Sequence, residues 1–345
     1  MRSRISTLSL MLAFSLCASQ AHAQETYRLT KIEGLTFFGD LNNEGVVVGA
    51  TQAANGAQHA AIWQRGRLTD IHNRINSAAV QSDLRDVNDK SDVVGTFADS
   101  GFHGFLLRGR RVIEIPPLPG DGQTFALGIN NRRQVLGQSL GPNLPRQFVW
   151  DRGRFTILQG LTGQTFSINP VEIQDAGIVV GTDRRVHAVT WQGGTVMEIG
   201  GLPGSLANRG QAINDVGQIA GESVLTDPNV FPQQVTAFVW ADGVATALPA
   251  LYAGVTESNV FDINDSGVVV GISVPEGVDP IAAIPTVWQD GAAYDLNQLI
   301  DPNDPLKSTV TLTETRAIND RGQIVAGVFN PDDVTVTFYL LTPIH

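Results

Sequence analysis

Several groups of residues in this chain have the types and spacing that chemistry uses. Gly137-Gln138-Ser139-Leu140-Gly141 matches the G-x-S-x-G pattern of a serine nucleophile, which works only on a sharp strand-to-helix turn that exposes the hydroxyl. Asp86-x-Asn88-Asp89 and Asp262-x-Asn264-Asp265-x-Gly267 resemble the first half of a calcium loop. Such a loop ends in a bidentate Glu at its twelfth position, and that position is Phe97 in one and Ser273 in the other. His59, His103 and His187 could bind a metal or carry protons. Trp63, Trp150, Trp191, Trp240 and Trp288 could stack on sugars.

The elements that would have to position these residues argue against most of that chemistry. A hydrophobic residue, an Asn or Gln, an Asn or Asp, two variable residues and an apolar run ending in Gly recur seven times, around Asn42, Asn88, Asn130, Gln174, Asn214, Asn264 and Asn319. The steps between them are 46, 42, 44, 40, 50 and 55 residues. Each copy is followed by a short stretch that usually ends in Trp, then a turn and another short apolar run. Asx-x-Gly between apolar runs is a tight turn in which the side chain bonds the local backbone and Gly takes positive φ. Runs such as Val46-Val47-Val48 and Val268-Val269-Val270 are β-branched and too short for helices. Each unit therefore supplies four antiparallel strands, A ending at the Asn, B the Val run, C ending at the Trp and D, which is the blade of a propeller.

The expected fold is all-β, a seven-bladed β-propeller of four-stranded repeats of about 46 residues with almost no helix. The last unit has strands A, B and C at Thr315–Asn319, Gln323–Val328 and Thr335–Leu341, and the sequence ends without a D strand. Leu29–Leu35 matches the missing strand, so the N-terminal strand is expected to complete the last blade and close the ring, removing an open sheet edge. An open solenoid would leave the split repeat unexplained.

Within that frame Ser139 lies at the end of a strand, in register with Ser223 and Ser273, and not on an elbow. The two Asp-x-Asn-Asp segments read as turn residues. The three His residues open equivalent C strands one blade apart and so do not converge on a metal. The Trp position is filled by Leu107 and Leu340 in two units, which fits packing between blades better than sugar stacking. No catalytic residue, metal ligand or cofactor is assigned, and a binding role is favoured over an enzymatic one.

Residues 1–23 read as a signal peptide: Arg2 and Arg4, an apolar run over 8–18, and Ala21-His22-Ala23 before Gln24. Bulky Leu16 before Cys17 disfavours lipid attachment there. The remainder, 24–345, is expected to be one exported propeller domain without a transmembrane segment, secreted or periplasmic, and monomeric. Cleavage would remove two Arg and no acid, taking the net charge from -11 to -13, and would also remove the single Cys. The mature chain then has no disulfide and no thiol nucleophile. Its acidity excludes nucleic acid, which needs a basic footprint.

The combination Ile-Asn-Asp-x-Gly-x-Val-Val-Gly, His-Ala-x-x-Trp and the ending Leu340-Leu341-Thr342-Pro343 resembles the HAF-repeat family of bacterial extracellular proteins across essentially the whole mature chain. The resemblance implies export and a repeat β architecture, and carries over no catalytic residue. Some relatives end in a Pro-Glu-Pro sorting anchor. Thr342-Pro343-Ile344-His345 lacks that motif, so a free form is expected.

Function is expected where the repeat is broken. The A–B and C–D turns share one face, and the B–C and D–A connections share the other. The longest insertions, at 223–235, 272–284 and 297–311, all fall on the second face in units five to seven. They carry the candidate ligand-binding residues Asp227, Asn229, Asp279, Asp301 and Asp304. The expected role is a binding scaffold for a protein, peptide or carbohydrate. A lyase or hydrolase at the channel mouth and a structural envelope or matrix component are the alternatives.

Overall fold

The computed structural model describes residues 25–227, 233–277 and 283–344. The predicted signal peptide, Asn229 and Asp279 lie outside them. After β1 (Thr26–Lys31), the first unit holds β2 (Phe37–Leu41), β3 (Val47–Gln52), β4 (Gln58–Gln64) and β5 (Arg67–Asp70). Helix α1 (His72–Asn76) follows, and is the only helix among the described residues. The second unit is β6 (Gln81–Val87), β7 (Val93–Ala98), β8 (Phe102–Arg108) and β9 (Arg111–Glu114). The third is β10 (Gln123–Ile129), β11 (Val135–Leu140), β12 (Arg146–Asp151) and β13 (Arg154–Ile157). The fourth is β14 (Ile168–Ile173), β15 (Ile178–Asp183), β16 (His187–Gln192) and β17 (Thr195–Glu198). The fifth comprises β18 (Ala207–Ile213), β19 (Ile219–Val224), β20 (Val235–Ala241) and β21 (Val244–Ala247). The sixth comprises β22 (Val255–Ile263), β23 (Val269–Pro275), β24 (Ile284–Gln289) and β25 (Ala292–Asp295). The chain finishes with β26 (Glu314–Ile318), β27 (Ile324–Asn330) and β28 (Thr335–Ile344).

The expectation of a seven-bladed propeller of four-stranded repeats is corrected. Five sheets are four-stranded, and β18 to β25 join in one eight-stranded sheet through a parallel pairing of β20 with β22. The reason lies in β22, nine residues long where the other innermost strands have five to seven. A second bulge, between Val255 and Glu257, carries it far enough to pair Glu257 with Val235.

The sheet that ends the chain has the order β1-β28-β27-β26. Its first strand comes from the N-terminus, slightly upstream of the segment expected, with Tyr27 opposite Pro343 and Lys31 opposite Tyr339. On its other side β1 meets the 297–311 insertion. Tyr27 N–H donates to the Leu299 carbonyl at 2.8 Å, and Asp301 N–H donates to the Tyr27 carbonyl at 2.9 Å. Apolar clusters lie between neighbouring units. Trp63, for example, packs with Leu41 and Val47 of its own unit and with Ala317, Val325 and Leu340 of the last. Trp63, Trp150, Trp191 and Trp288 are all buried, as packing between units requires.

Every innermost strand carries a bulge three residues before its Asn-equivalent, as between Phe38 and Asp40 or Val260 and Asp262. The bulge brings the two backbones together, and the residue opposite is the Gly that ends the Val run in six units and Ala326 in the last. A Cβ on Gly271 would stand 2.0 Å from the Asn259 carbonyl oxygen, so the repeat's second Gly answers crowding and not turn formation. Gly128, by contrast, would place a Cβ no closer than 3.4 Å to Asp86 Oδ2. We therefore expect Gly271→Ala to cost ~3 kcal/mol by overpacking and Gly128→Ala to stay within ~0.5 kcal/mol of wild type. Urea midpoints of the two variants check this, and equal losses would refute the bulge explanation.

Candidate functional site

The innermost strands surround a central channel whose cavity is about 330 Å³. At the A–B turn end two belts of hydrogen bonds run around it, the outer one closed and the inner one interrupted between Gln174 and Asn214. In the inner belt the Asn amide has two jobs. Asn42 Oδ1 accepts the N–H groups of Glu44 and Val46, holding its own turn, while its Nδ2 donates to the Asn88 carbonyl at 2.9 Å. The same donation runs from Asn88 to Asn130, Asn130 to Gln174, Asn214 to Asn264, Asn264 to Asn319 and Asn319 back to Asn42. The belt tolerates imperfect turns: Ser91 and Arg133 take positive φ where Gly45 and Gly267 stand elsewhere.

The next residue of each unit makes the outer belt. Backbone N–H groups of Asn43, Asp89, Asn131, Asp175, Asp215, Asp265 and Asp320 each donate to a side-chain Oδ1 of the following unit, Asp320 returning to Asn43. Asn43 relieves the crowding of carboxylates, donating to both Asp89 and Asp320 at 3.1 and 2.7 Å. Asp175, Asp215, Asp265 and Asp320 follow one another without such a break. Burial first, and then the neighbouring carboxylates, raise the pKa of Asp215 and Asp265.

Deeper in the channel lie four carboxylates that sequence reasoning missed as a group. The residue two before each Asn-equivalent is, in ring order, Asp40, Asp86, Gly128, Glu172, Ala212, Asp262 and Ala317. Acid and small residue alternate from the second unit onward. Asp86 Oδ2 accepts Ile129 N–H at 2.6 Å, Glu172 Oε2 accepts Ile213 N–H at 2.9 Å, and Asp262 Oδ2 accepts Ile318 N–H at 2.7 Å. Each acid thus reaches over its small neighbour to the next backbone amide. Seven is odd, so one unit breaks the alternation: Asp40 sits beside Asp86 and hydrogen-bonds to it.

All four side chains touch the lumen yet are enclosed by the wall. Desolvation therefore raises each pKa: Asp40 and Glu172 well above the ordinary carboxylate range, Asp86 less so, and Asp262 to about 6. Backbone amides offset part of the rise at Asp86 and Asp262. The nearby charge of Asp86 adds to the rise at Asp40. Of the pair, Asp40 is therefore the harder to ionise and Asp86 the easier, as for two carboxylates held side by side.

The predicted loop residues fall into different places. Asp227 is exposed on the loop-bearing face. Asp301 Oδ1 accepts the N–H of Asn303, and Asp304, buried, accepts Leu29 N–H on Oδ2 and Leu306 N–H on Oδ1, both at 2.8 Å. The 297–311 insertion is therefore a clasp on the N-terminal strand, and its acidity serves that contact. Neither Asp301 nor Asp304 lines the channel cavity. Ser139 is buried in β11, accepting Leu118 N–H and donating to Asp121. His59, His103 and His187 each bond a carboxylate of the adjoining outer strand, Asp70, Glu114 and Glu198, at 2.7–2.8 Å.

The loop-bearing face holds a shallow depression of about 390 Å³ between units three and four. Leu144 and Phe166 are its apolar walls. Arg146, ion-paired to Asp121 at 2.7 Å, and Pro119 are among its other lining residues. Of the thirteen large apolar side chains exposed among the described residues, eight lie on this face, including Val80, Phe102, Leu144, Leu161, Phe166 and Leu206; two, Val216 and Val244, lie on the turn face.

The architecture recurs in solved structures. An oligogalacturonate lyase from Vibrio parahaemolyticus is 10% identical, covering 92% of this chain and 91% of its own, with a TM-score of 0.59. The β-propeller domain of the Trilobed protease from Pyrococcus furiosus is 9% identical over 89% and 93%, with a TM-score of 0.54. YCF48 bound to D1 peptide is 10% identical over 93% and 96%, with a TM-score of 0.51. The fold is a β-propeller. At these identities the likeness is one of fold alone. No family model and no curated protein sequence matches the chain.

Two predictions follow from these contacts. Ionising Asp40 is harder in the folded propeller than in the unfolded chain. Its contribution to stability is thus present below the ordinary aspartate pKa and lost as pH rises through the raised folded value. Asp40→Asn keeps a donor to Asp86 without the ionisable proton. It should melt about 2–4 °C above wild type at pH 8, the shift that ~1 kcal/mol makes in a large domain, and match wild type at about pH 3.5, below the ordinary aspartate value. A variant with unchanged pH dependence would contradict the raised pKa of Asp40. Asp304→Ala leaves Leu29 N–H without its partner and should lower stability by ~2 kcal/mol, with hydrogen exchange rising first in β1. Unchanged protection of β1 would remove the clasp.

Proposed function

We propose that this propeller is an exported binding scaffold of the HAF-repeat type, and that its loop-bearing face engages a protein or peptide ligand. The observation that carries the reading is the concentration of exposed apolar side chains on that face, around the Leu144–Phe166 depression. Apolar groups clustered on one face of a folded domain mark interaction surfaces. A hollow with two apolar walls, Leu144 and Phe166, among the polar groups Asp121, Asn143, Arg146 and Thr165 suits a polypeptide, which brings both apolar anchors and backbone hydrogen-bonding groups. YCF48, a propeller of similar fold, is bound to a peptide, which agrees with this use of the architecture. No helix among the described residues is long and apolar enough to cross a membrane.

A second reading, acid–base catalysis, is favoured by one observation, the Asp40–Asp86 pair from two units with raised pKa values in the channel. Three of the four channel carboxylates bond backbone amides of the next unit, and that structural employment places catalysis second. The channel is also lined by acids, so an anionic substrate would be repelled from it.

Peptides selected by display on the wild-type chain should bind the double variant Leu144→Ser, Phe166→Ser at least about tenfold more weakly. Each apolar side chain that a bound peptide covers fully contributes about 1.5–3 kcal/mol. Asp40→Asn should bind them unchanged. Full binding by the double variant, or loss in Asp40→Asn alone, would move the site to the channel.

A further inference from the structure

The C–D turns of units one to three carry a group of arginines that neither reading uses. Arg67, Arg111 and Arg154 hold the same register, the first residue of the outermost strand. Each has another arginine inside its turn: Arg65, Arg110 and Arg152. All six are exposed. Among the described residues the one carboxylate within ion-pair reach of any of them is Asp151, 3.7 Å from Arg152. Units are adjacent in ring order, so the six form an arc along the outer rim of the turn face. Arg74 adds to it from α1, donating to the Gly109 carbonyl at 3.1 Å and lining with Arg110 a hollow of about 560 Å³.

The fold does not ask for these charges. In units four, five and six the register of Arg67 is filled by Thr195, Val244 and Ala292. The backbone even opposes two of them. Arg65 and Arg152 take φ of 51° and 50° at the first turn position, the left-handed region that suits Gly, Asn and Asp. Gly109, Gly193, Asp242 and Asp290 fill that position in the other hairpins. An arginine held against its backbone preference, where Gly or Asp serves the turn, answers to something outside the turn. The chain is acidic as a whole, but exposed charges more than about 10 Å away are screened at 0.1 M salt. A ligand on the rim therefore meets the local arginines and not the net charge.

We propose that the C–D turns of units one to three bind a linear acidic polysaccharide, whose carboxylates pair with Arg67, Arg111, Arg154 and the turn arginines beside them. The surroundings choose among anions. A planar anionic surface laid on this face would also meet Asp242 and Asp290 on the rim and the carboxylates of the outer belt nearer the axis. A protein partner needs apolar anchors, and none of the exposed large apolar side chains lies on the turn face of units one to three. Single-stranded nucleic acid needs aromatic faces for its bases, and no exposed aromatic side chain stands at these turns. A polymer with a carboxylate on each sugar needs charge-assisted hydrogen bonds alone, which the guanidinium fork supplies two at a time. The site lies on the opposite face from the Leu144–Phe166 depression and stands independently of it.

Fluorescence anisotropy of labelled alginate oligomers, linear polyuronates of about ten sugars, tests this on the full mature chain. Binding in about 50 mM salt should weaken about tenfold or more at about 200 mM. The triple variant Arg67→Gln, Arg111→Gln, Arg154→Gln should bind at least about tenfold more weakly than wild type. Its positions are exposed and filled by uncharged residues in other units, so the variant keeps the fold. A charge-matched variant, Arg28→Gln, Arg184→Gln, Arg185→Gln, should stay within about twofold of wild type, as removal of distant screened charges allows. The Leu144→Ser, Phe166→Ser variant should bind alginate unchanged, which separates this site from the peptide site. Absence of binding at low salt, or equal weakening in the two charge variants, would overturn the proposal. So would tighter binding of DNA of matched charge or of vesicles containing phosphatidylglycerol.

Discussion

The propeller depends on one side chain doing two things at once. The turn Asn accepts from its own turn through Oδ1 and donates to the next unit through Nδ2. An amide is the smallest side chain that offers a fixed acceptor and a fixed donor together. Asp could hold the turn but not reach the neighbour's carbonyl, and Ser offers one freely rotating hydrogen. Gln174, with an extra methylene where six other units have Asn, still caps its own turn through Oε1 but does not make the donation to the next unit. Because every link is also a cap, a unit cannot fold its turn without presenting its donor to the following one. Local turn formation and ring closure are thereby one event.

Once the turns are tied edge to edge, the innermost strands crowd the axis, and the bulge is the consequence. Each bulge turns one residue into the lumen and presses the strand backbone against its partner, which explains a Gly with no turn to make. The alternation of acid and small residue belongs to the same crowding. A carboxylate can bridge to the next unit only where that unit has no side chain in the way. Gly128, Ala212 and Ala317 supply the room, and Asp86, Glu172 and Asp262 use it. With an odd number of units the pattern cannot close, and the mismatch falls at Asp40, whose pKa is raised by burial and by the neighbouring Asp86.

Much of this architecture was legible because it is written in short-range patterns. The Asn turns, the Val runs, the Trp positions and the split last repeat are each visible within a dozen residues, and their recurrence identifies the strands. The merger of two sheets was not, since it rests on two extra residues at the start of β22 and one pairing to a distant strand. The acids at 40, 86, 172 and 262 were missed as a group for a related reason. Two of them stood in plain view as parts of apparent calcium loops, and only aligning the position two before the Asn across all units would have set them together. Asp301 and Asp304 resembled an exposed acidic loop because sequence distance concealed their partner, 275 residues away at Leu29.

That last misreading changes where variability is informative. An insertion on the variable face has two possible reasons, a ligand outside the chain or a partner within it, and residue type alone does not separate them. Hydrogen-bond bookkeeping does. Both oxygens of Asp304 accept backbone amides that burial would otherwise leave unpaired, so the loop is occupied in holding β1 between itself and β28. Leu144 and Phe166 have the opposite character. They spend exposed apolar area on a face where short polar connections would have sufficed, and nothing in the fold is held by them. The side chains that the structure does not need are the ones available to a ligand. On this propeller Leu144 and Phe166 meet over units three and four, away from the clasp.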